Sequence, residues 1–158
     1  MIRMRRIEER DAGAVSALIH ETMQISNSRD YPPELLRGIP PEKVIERAGW
    51  THFYVAEDGE EIVGCGAIGP YWGKTDESSF FTIFVRPDRQ GQGIGRKIVE
   101  TLEADEFALR ARRIEIPASI TALPFYQKMG YSFKPGCEKP DEEPRENIAF
   151  LWGITNFW

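Results

Sequence analysis

Cysteine and histidine are scarce in this 158-residue chain, which has two of each: Cys65, Cys137, His20 and His52. No CxxC pair and no Cys/His ligand spacing joins them, so a structural metal site is not expected, and the low cysteine count suits a reducing cytoplasm. An excess of positive charge is also missing. Lys and Arg total 20 against 25 Asp and Glu, a formal net charge of −5, which removes the broad basic footprint that nucleic-acid binding requires. Long apolar runs are absent too. The opening MIRMRRIEER has no apolar segment of signal-peptide length, and no later run approaches the ~20 residues of a membrane span. A cytoplasmic protein free of membrane is the expectation. Disorder is excluded by composition, since hydrophobic residues make up 41% and charged residues 28%.

A chain of this length is enough for one domain with a sizeable core, so residues 1–158 are expected to form a single unit. Ile2, Met4 and Ile7 alternate with arginines as in a half-buried strand. Asp11 reads as an N-cap, followed by a helical stripe of Ala14, Val15, Leu18, Ile19, Thr22 and Met23 that ends near Gln24. Pro32 and Pro33 interrupt any continuation, and PPEKVIERAG predicts a second helix stopped by Gly49. Two β-rich runs between Thr51 and Ile68 are joined by Asp58-Gly59, a hairpin-turn dipeptide. After the polar stretch GKTDESS comes FFTIFV, apolar on both faces except at Thr82, as a strand covered on both sides would be. From Ile94 onward Ile98, Val99, Leu102 and Leu109 recur at helical intervals. Arg113 to Ala118 reads as a strand, and ALPFYQKMGY as a short helix with Pro124 in its first turn and Gly130 at C′. Tyr131 to Lys134 and IAFLWGI read as strands separated by an acidic loop. This order of elements implies an α+β or layered α/β domain with a mixed sheet.

The most informative stretch is VRPDRQGQGIGRK, where Gly91, Gly93 and Gly95 stand between an apolar strand and an amphipathic helix. A strand that enters a helix through glycines aims several backbone N–H groups and the positive end of the helix dipole at one place, which attracts phosphate. Arg89, Arg96 and Lys97 can add charge. The spacing excludes a P-loop, because Ile98 follows Lys97 where a Ser or Thr is required. A Rossmann fingerprint fails as well, because position 96 is arginine and much of the chain precedes the glycines.

Gln90, Gly93 and Gly95 satisfy [RQ]xxGx[GA], which resembles motif A of the GCN5-related N-acetyltransferase (GNAT) family. VRP before the loop resembles that family's strand end. SITALPFYQKMGYSF resembles its next signature, with Tyr126, Lys128, Gly130 and Tyr131 at the matching positions. The resemblance implies a mixed, mostly antiparallel twisted sheet flanked by helices and an N-acetyltransferase with acetyl-CoA as cosubstrate. It implies that residues 90–96 (Gln90, Gly91, Gln92, Gly93, Ile94, Gly95 and Arg96) cradle the pyrophosphate. By the same resemblance the backbone of Ile83, Phe84 and Val85 pairs with the pantetheine arm like an added strand. It also implies a contact from Ser119, where relatives often carry asparagine, and a backbone donor near Val85 facing the thioester carbonyl. Tyr126 is the implied general acid for the departing thiolate.

The general base is left unnamed. FFTIFV has no carboxylate, and Glu115, Asp76, Glu77, Glu57 and His52 each read better as an edge or loop charge. No cysteine lies in the motif region, which favours direct attack by a primary amine in a ternary complex over an acyl-enzyme. The alternative is a non-catalytic acyl-CoA-binding sensor, and a second is an enzyme of another nucleotide. The acidic loop Glu138 to Glu146 is either a solvated face or an attractant for a cationic amine. Tyr71-Trp72 and Phe157-Trp158 mark either core or a partner surface, a homodimer included.

Overall fold

The computed structural model describes residues 1–28, 33, 36–70, 76–119, 122–133 and 148–154. The acidic loop, Cys137, Tyr71-Trp72, Phe157-Trp158, Pro32 and Lys134 lie outside the described residues. Seven strands form one sheet in the order β1-β2-β3-β4-β5-β7-β6. They are β1 (Ile2–Arg6), β2 (His52–Asp58), β3 (Glu61–Pro70), β4 (Glu77–Val85), β5 (Arg113–Ser119), β6 (Ser132–Phe133) and β7 (Ile148–Ile154). Every neighbouring pair is antiparallel except β4 with β5. A mixed sheet is what the order of elements predicts, and its mostly antiparallel pairing is what the family resemblance implies.

The helices cover both faces. On one face α1 (Ala12–Ser26) and α2 (Pro41–Trp50) bury Val15, Leu18, Ile19 and Val44 against Phe53, Val55, Cys65 and Ala67. On the other, α3 (Ile94–Glu103), α4 (Glu106–Leu109) and α5 (Leu123–Lys128) close over a core that includes Val63, Phe80, Ile98, Leu102, Ile114 and Tyr126. Among the described residues no helix is long and apolar enough to cross a membrane.

Several expected boundaries move, each for a physical reason. Asp11 precedes α1 but its side chain caps nothing there, because its carboxylate accepts from Arg5 Nη1 and Nη2 at 2.8 and 3.0 Å and from the Glu8 N–H at 2.8 Å. Strand β4 starts at Glu77 rather than Phe80. Its polar residues Ser78 and Ser79 are buried, and the Ser78 hydroxyl donates to the Phe107 carbonyl at 2.8 Å. The hairpin turn is displaced by one position: Asp58 pairs with Glu61, leaving Gly59-Glu60 as the loop with Gly59 at φ 63°. The long helix read from Ile94 to Leu109 is two helices, because the Asp105 carboxylate accepts from the Phe107 N–H at 2.9 Å and restarts the chain as α4. Leu109, placed on the apolar stripe by its spacing, is exposed instead. Gly130 does take the C′ position after α5, at φ 99°.

Candidate functional site

Strands β4 and β5 run parallel only at their beginnings, where Glu77, Ser78 and Ser79 pair with Arg113, Ile114 and Glu115. Beyond Ser79 they part. From Phe80 to Val85 the β4 edge facing β5 has no strand beside it among the described residues, while the opposite edge stays bonded to β3 as far as the pair Gly64 and Val85. An open strand edge of this kind accepts an extended, amide-bearing ligand as an additional strand.

The divergence coincides with a β-bulge. Between the pairs Cys65↔Phe84 and Ala67↔Phe81, β3 has one residue and β4 has two, Thr82 and Ile83. Thr82 sits at φ 56°, a left-handed conformation that a β-branched residue adopts only when its surroundings enforce it. Two contacts do so. Arg47 Nη1 on α2 donates to Thr82 Oγ1 at 2.7 Å, and the Cys65 thiol donates to the Thr82 carbonyl at 3.2 Å. Burial pushes the Cys65 thiol up to about 12, so it stays protonated and keeps that donor.

The glycine loop follows the open edge. Gly91 and Gly93 have φ of 77° and 83°, and a Cβ at either would meet no atom within 4 Å. Backbone conformation therefore requires glycine at both. At Gly95 the constraint is contact, because a Cβ there would stand 3.2 Å from Phe125 Cζ and the ring would have to give by a few tenths of an ångström. The amides of residues 90 to 96 donate to no acceptor among the described residues. Unpaired amides at a helix N-terminus, with the dipole behind them, form an anion site. The loop borders a cleft of about 510 Å³ whose lining includes Ile83, Phe84, Val85, Gln90, Gly93 and Tyr126.

Most of the predicted site residues meet around that cleft. Gly91, Gly95 and Arg96 also line it, whereas Ile94 turns its side chain into the core and Gln92 is exposed, accepting from Arg89 Nε at 3.1 Å. Ser119 is placed by its backbone at the end of β5, paired with Ile148. Two of the three cations expected to face a phosphate are committed elsewhere. Arg89 Nη2 binds Asp58 Oδ2 at 2.7 Å and Lys97 Nζ donates to the Ile2 carbonyl at 2.6 Å, while Arg96 from the loop, 3.6 Å from Glu100 in an exposed pair, and Lys128 from α5 line the cleft. The Gln90 side chain is a tie, with Nε2 donating to Ser26 Oγ at 3.0 Å and to the Val85 carbonyl at 3.1 Å.

Tyr126 is 5% exposed, and its burial raises the phenol above its ordinary value, so it stays protonated at physiological pH. It lines both this cleft and an adjoining one of about 260 Å³. The acids considered as bases are in ion pairs or interior contacts. Glu57 binds Arg5 at 2.9 Å, Asp76 binds Arg112 at 3.2 Å and Glu77 lies 3.4 Å from Arg113, while Glu115 is buried in β5. His52 Nδ1 lies 2.8 Å from Asp105 Oδ1. Burial of Asp105 works against its ionisation, but bonds from Tyr54, the Phe107 N–H and His52 outweigh this and hold its carboxyl below the usual range. Among the described residues no carboxylate or imidazole lines either cleft.

Sequence reasoning missed the end of α1, which brings Thr22, Ser26 and Asn27 to the cleft, and it missed Arg47. The first three carry no motif and arrive through packing alone. Thr82 left a signal as the one polar residue within FFTIFV.

A family model described as an acetyltransferase (GNAT) domain matches residues 49–133. No curated protein matches the chain. Among solved structures it is similar to a PaiA N-acetyltransferase from Thermoplasma acidophilum in complex with coenzyme A, with a TM-score of 0.82 and 12% identity over 98% of this chain and 99% of that one. It is also similar to the ribosomal-protein-S18-alanine N-acetyltransferase from Escherichia coli, with a TM-score of 0.73 and 17% identity over 100% and 96% of the two chains. A GNAT acetyltransferase from Brucella melitensis in complex with acetyl-CoA gives a TM-score of 0.67 and 18% identity over 99% and 89%.

Proposed function

Since the chain belongs to the GNAT acetyltransferase family, we propose that it moves the acetyl group of acetyl-CoA to a primary amine by direct attack in a ternary complex. The observation that carries this reading is the run of unpaired amides at residues 90–96 beside an open β4 edge, with both features on one cleft. The fit to coenzyme A is specific in its parts. A diphosphate takes the amides at the start of α3, with Arg96 and Lys128 at the rim, and the pantetheine amides pair with the edge from Ile83 to Val85. ATP or NAD would use the first feature and leave the second idle.

In the reaction, the amine nitrogen forms a bond to the thioester carbon and the C–S bond breaks; the sulfur takes its proton from Tyr126, and the proton lost by nitrogen, passed through water, restores the phenol. A β4 amide near Val85 is the donor for the oxyanion of the tetrahedral state. Tyr126, held as a phenol by burial, donates to the departing sulfur. With no carboxylate among the described lining residues, on this reading water accepts the ammonium's proton, with desolvation by the cleft lowering its pKa.

Two measurements on the purified chain test the reading. Calorimetry with acetyl-CoA is expected to give saturable heat, and thiol release against a panel of amines is expected to give turnover. Absence of binding at millimolar acetyl-CoA overturns the proposal. The same missing base favours a second reading, a non-catalytic acyl-CoA sensor, which predicts binding without thiol release for every amine.

A further inference from the structure

The adjoining cleft of about 260 Å³ shares Asn27, Ile83, Phe84, Ala122 and Tyr126 with the first, so it opens at the place where the thioester would lie. It lies just below the usual range of ligand clefts, about 300–1,000 Å³. Apart from Thr82 its remaining walls are apolar, from Met23 and Leu36 on the helical side to Phe81 and Ile116 on the sheet side. Among its described lining residues none carries a charge.

The charge nearest this cleft in the hydrogen-bonding pattern is positive. Thr82 is part of the wall, and its hydroxyl accepts from Arg47 Nη1 at 2.7 Å. Many arginines of this chain, Arg5, Arg86, Arg89, Arg112 and Arg113 among them, are within 4 Å of a carboxylate. Arg47 is half-buried and has no carboxylate partner among the described residues. Among the described residues no carboxylate therefore offsets its charge, and it stands one hydrogen bond behind the surface that an acceptor would touch.

We infer that this cleft takes a primary amine carried on an apolar aliphatic or aromatic body with no second cation, and that Arg47 sets that limit. The inference rests on the acetyl-transfer reading and names the acceptor class for it. Apolar walls strip water from a single ammonium and disfavour its charged form, which yields the neutral nucleophile without a carboxylate base. A second ammonium on the same body incurs that desolvation cost again if it sheds its proton. If it stays charged it is buried unpaired, or faces the Arg47 guanidinium in a medium of reduced dielectric.

Hexylamine and hexane-1,6-diamine differ in that second charge and little else, so the pair isolates it. With the full chain and acetyl-CoA, kcat/KM from thiol release is expected to favour hexylamine at least tenfold. Arg47→Gln keeps a donor for Thr82 but removes the charge, and it is expected to narrow the gap to about threefold or less with the acetyl-CoA Kd unchanged. Arg47→Lys keeps the charge and is expected to retain the gap. Equal or better turnover of the diamine by the unaltered chain overturns the acceptor class, a result that needs no variant to fold. A gap that persists in a folded, acetyl-CoA-binding Arg47→Gln overturns the part given to Arg47. Thiol release with polyamines or aminoglycosides but not with hexylamine also overturns the class and leaves acetyl transfer standing. Release with no amine at all overturns both.

Discussion

At the scale of single residues, the β4 bulge concentrates several dependencies on Thr82. A threonine at φ 56° is held by Arg47 on its hydroxyl and by Cys65 on its carbonyl, so the strain is maintained by two elements outside β4. Thr82→Gly relieves the backbone while losing the hydroxyl. Its stability, measured by denaturant titration, is expected to stay within about 1 kcal/mol of the unaltered chain, because release of the left-handed strain offsets the lost hydrogen bond. Thr82→Val keeps the branched side chain and the strain but removes the acceptor for Arg47. It is expected to be the less stable of the two. Tyr126 gives a separate prediction, since its apolar ring contributes to the core as well as its hydroxyl to the cleft. Tyr126→Phe keeps the ring, so kcat is expected to fall by about 100-fold or more while the acetyl-CoA Kd changes little. Unchanged turnover would remove Tyr126 from the chemistry.

At the scale of elements, strand, loop and helix act as one device. The β4 edge is open because β5 leaves it after Ser79, and the loop that follows turns through two left-handed glycines before α3 begins. Either glycine changed to alanine has to enter a conformation costing about 1–2 kcal/mol, or else the loop shifts away from it. Gly93→Ala is therefore expected to lower the melting temperature by roughly 2–8 °C for a chain of this size and to weaken acetyl-CoA binding. Gly13→Ala is the control. Gly13 lies exposed in α1 with nothing within 4 Å of a Cβ, and its replacement is expected to leave binding unchanged. The contrast is read by calorimetry and thermal melts on the same preparations.

At the scale of the whole molecule, β1 and the start of α1 are joined by one arginine. Arg5 binds Asp11 through both terminal nitrogens and Glu57 through Nε, linking the sheet edge to the first helix. The hydrogen bond from Arg5 holds the Asp11 carboxyl below its ordinary value, with burial opposing and the Glu8 N–H assisting. A carboxyl depressed in the folded state contributes stability that is complete above the unfolded pKa, about 3.9, and is lost as pH falls through the lower folded value. Asp11→Asn is thus expected to melt earlier than the unaltered chain at pH 7, with the difference shrinking below about pH 4. Cofactor preference is also a property of the whole cleft. Acetyl-CoA is expected to raise the melting temperature more than ATP or NAD at equal concentration, since a ligand of the folded state stabilises it by mass action.

The sequence by itself determined the order of strands and helices, the glycine loop and the position of Tyr126, because hydrophobic period and glycine placement act over a few residues. Thr82 stood out there only as one polar residue in an apolar strand, and the bulge that holds it came from the register of β3 and β4. The tertiary structure decided which charges are free. Arg89 and Lys97 look available in VRPDRQGQGIGRK, yet Asp58 and the Ile2 carbonyl take them, from segments remote along the chain. The break before α4 depends on an Asp105 carboxylate that also holds His52 and Tyr54, and the arrival of Arg47 at Thr82 depends on how α2 packs on the sheet. Periodicity reports which face of an element is apolar. Which polar groups meet across elements is fixed only when the sheet closes its register and the helices dock.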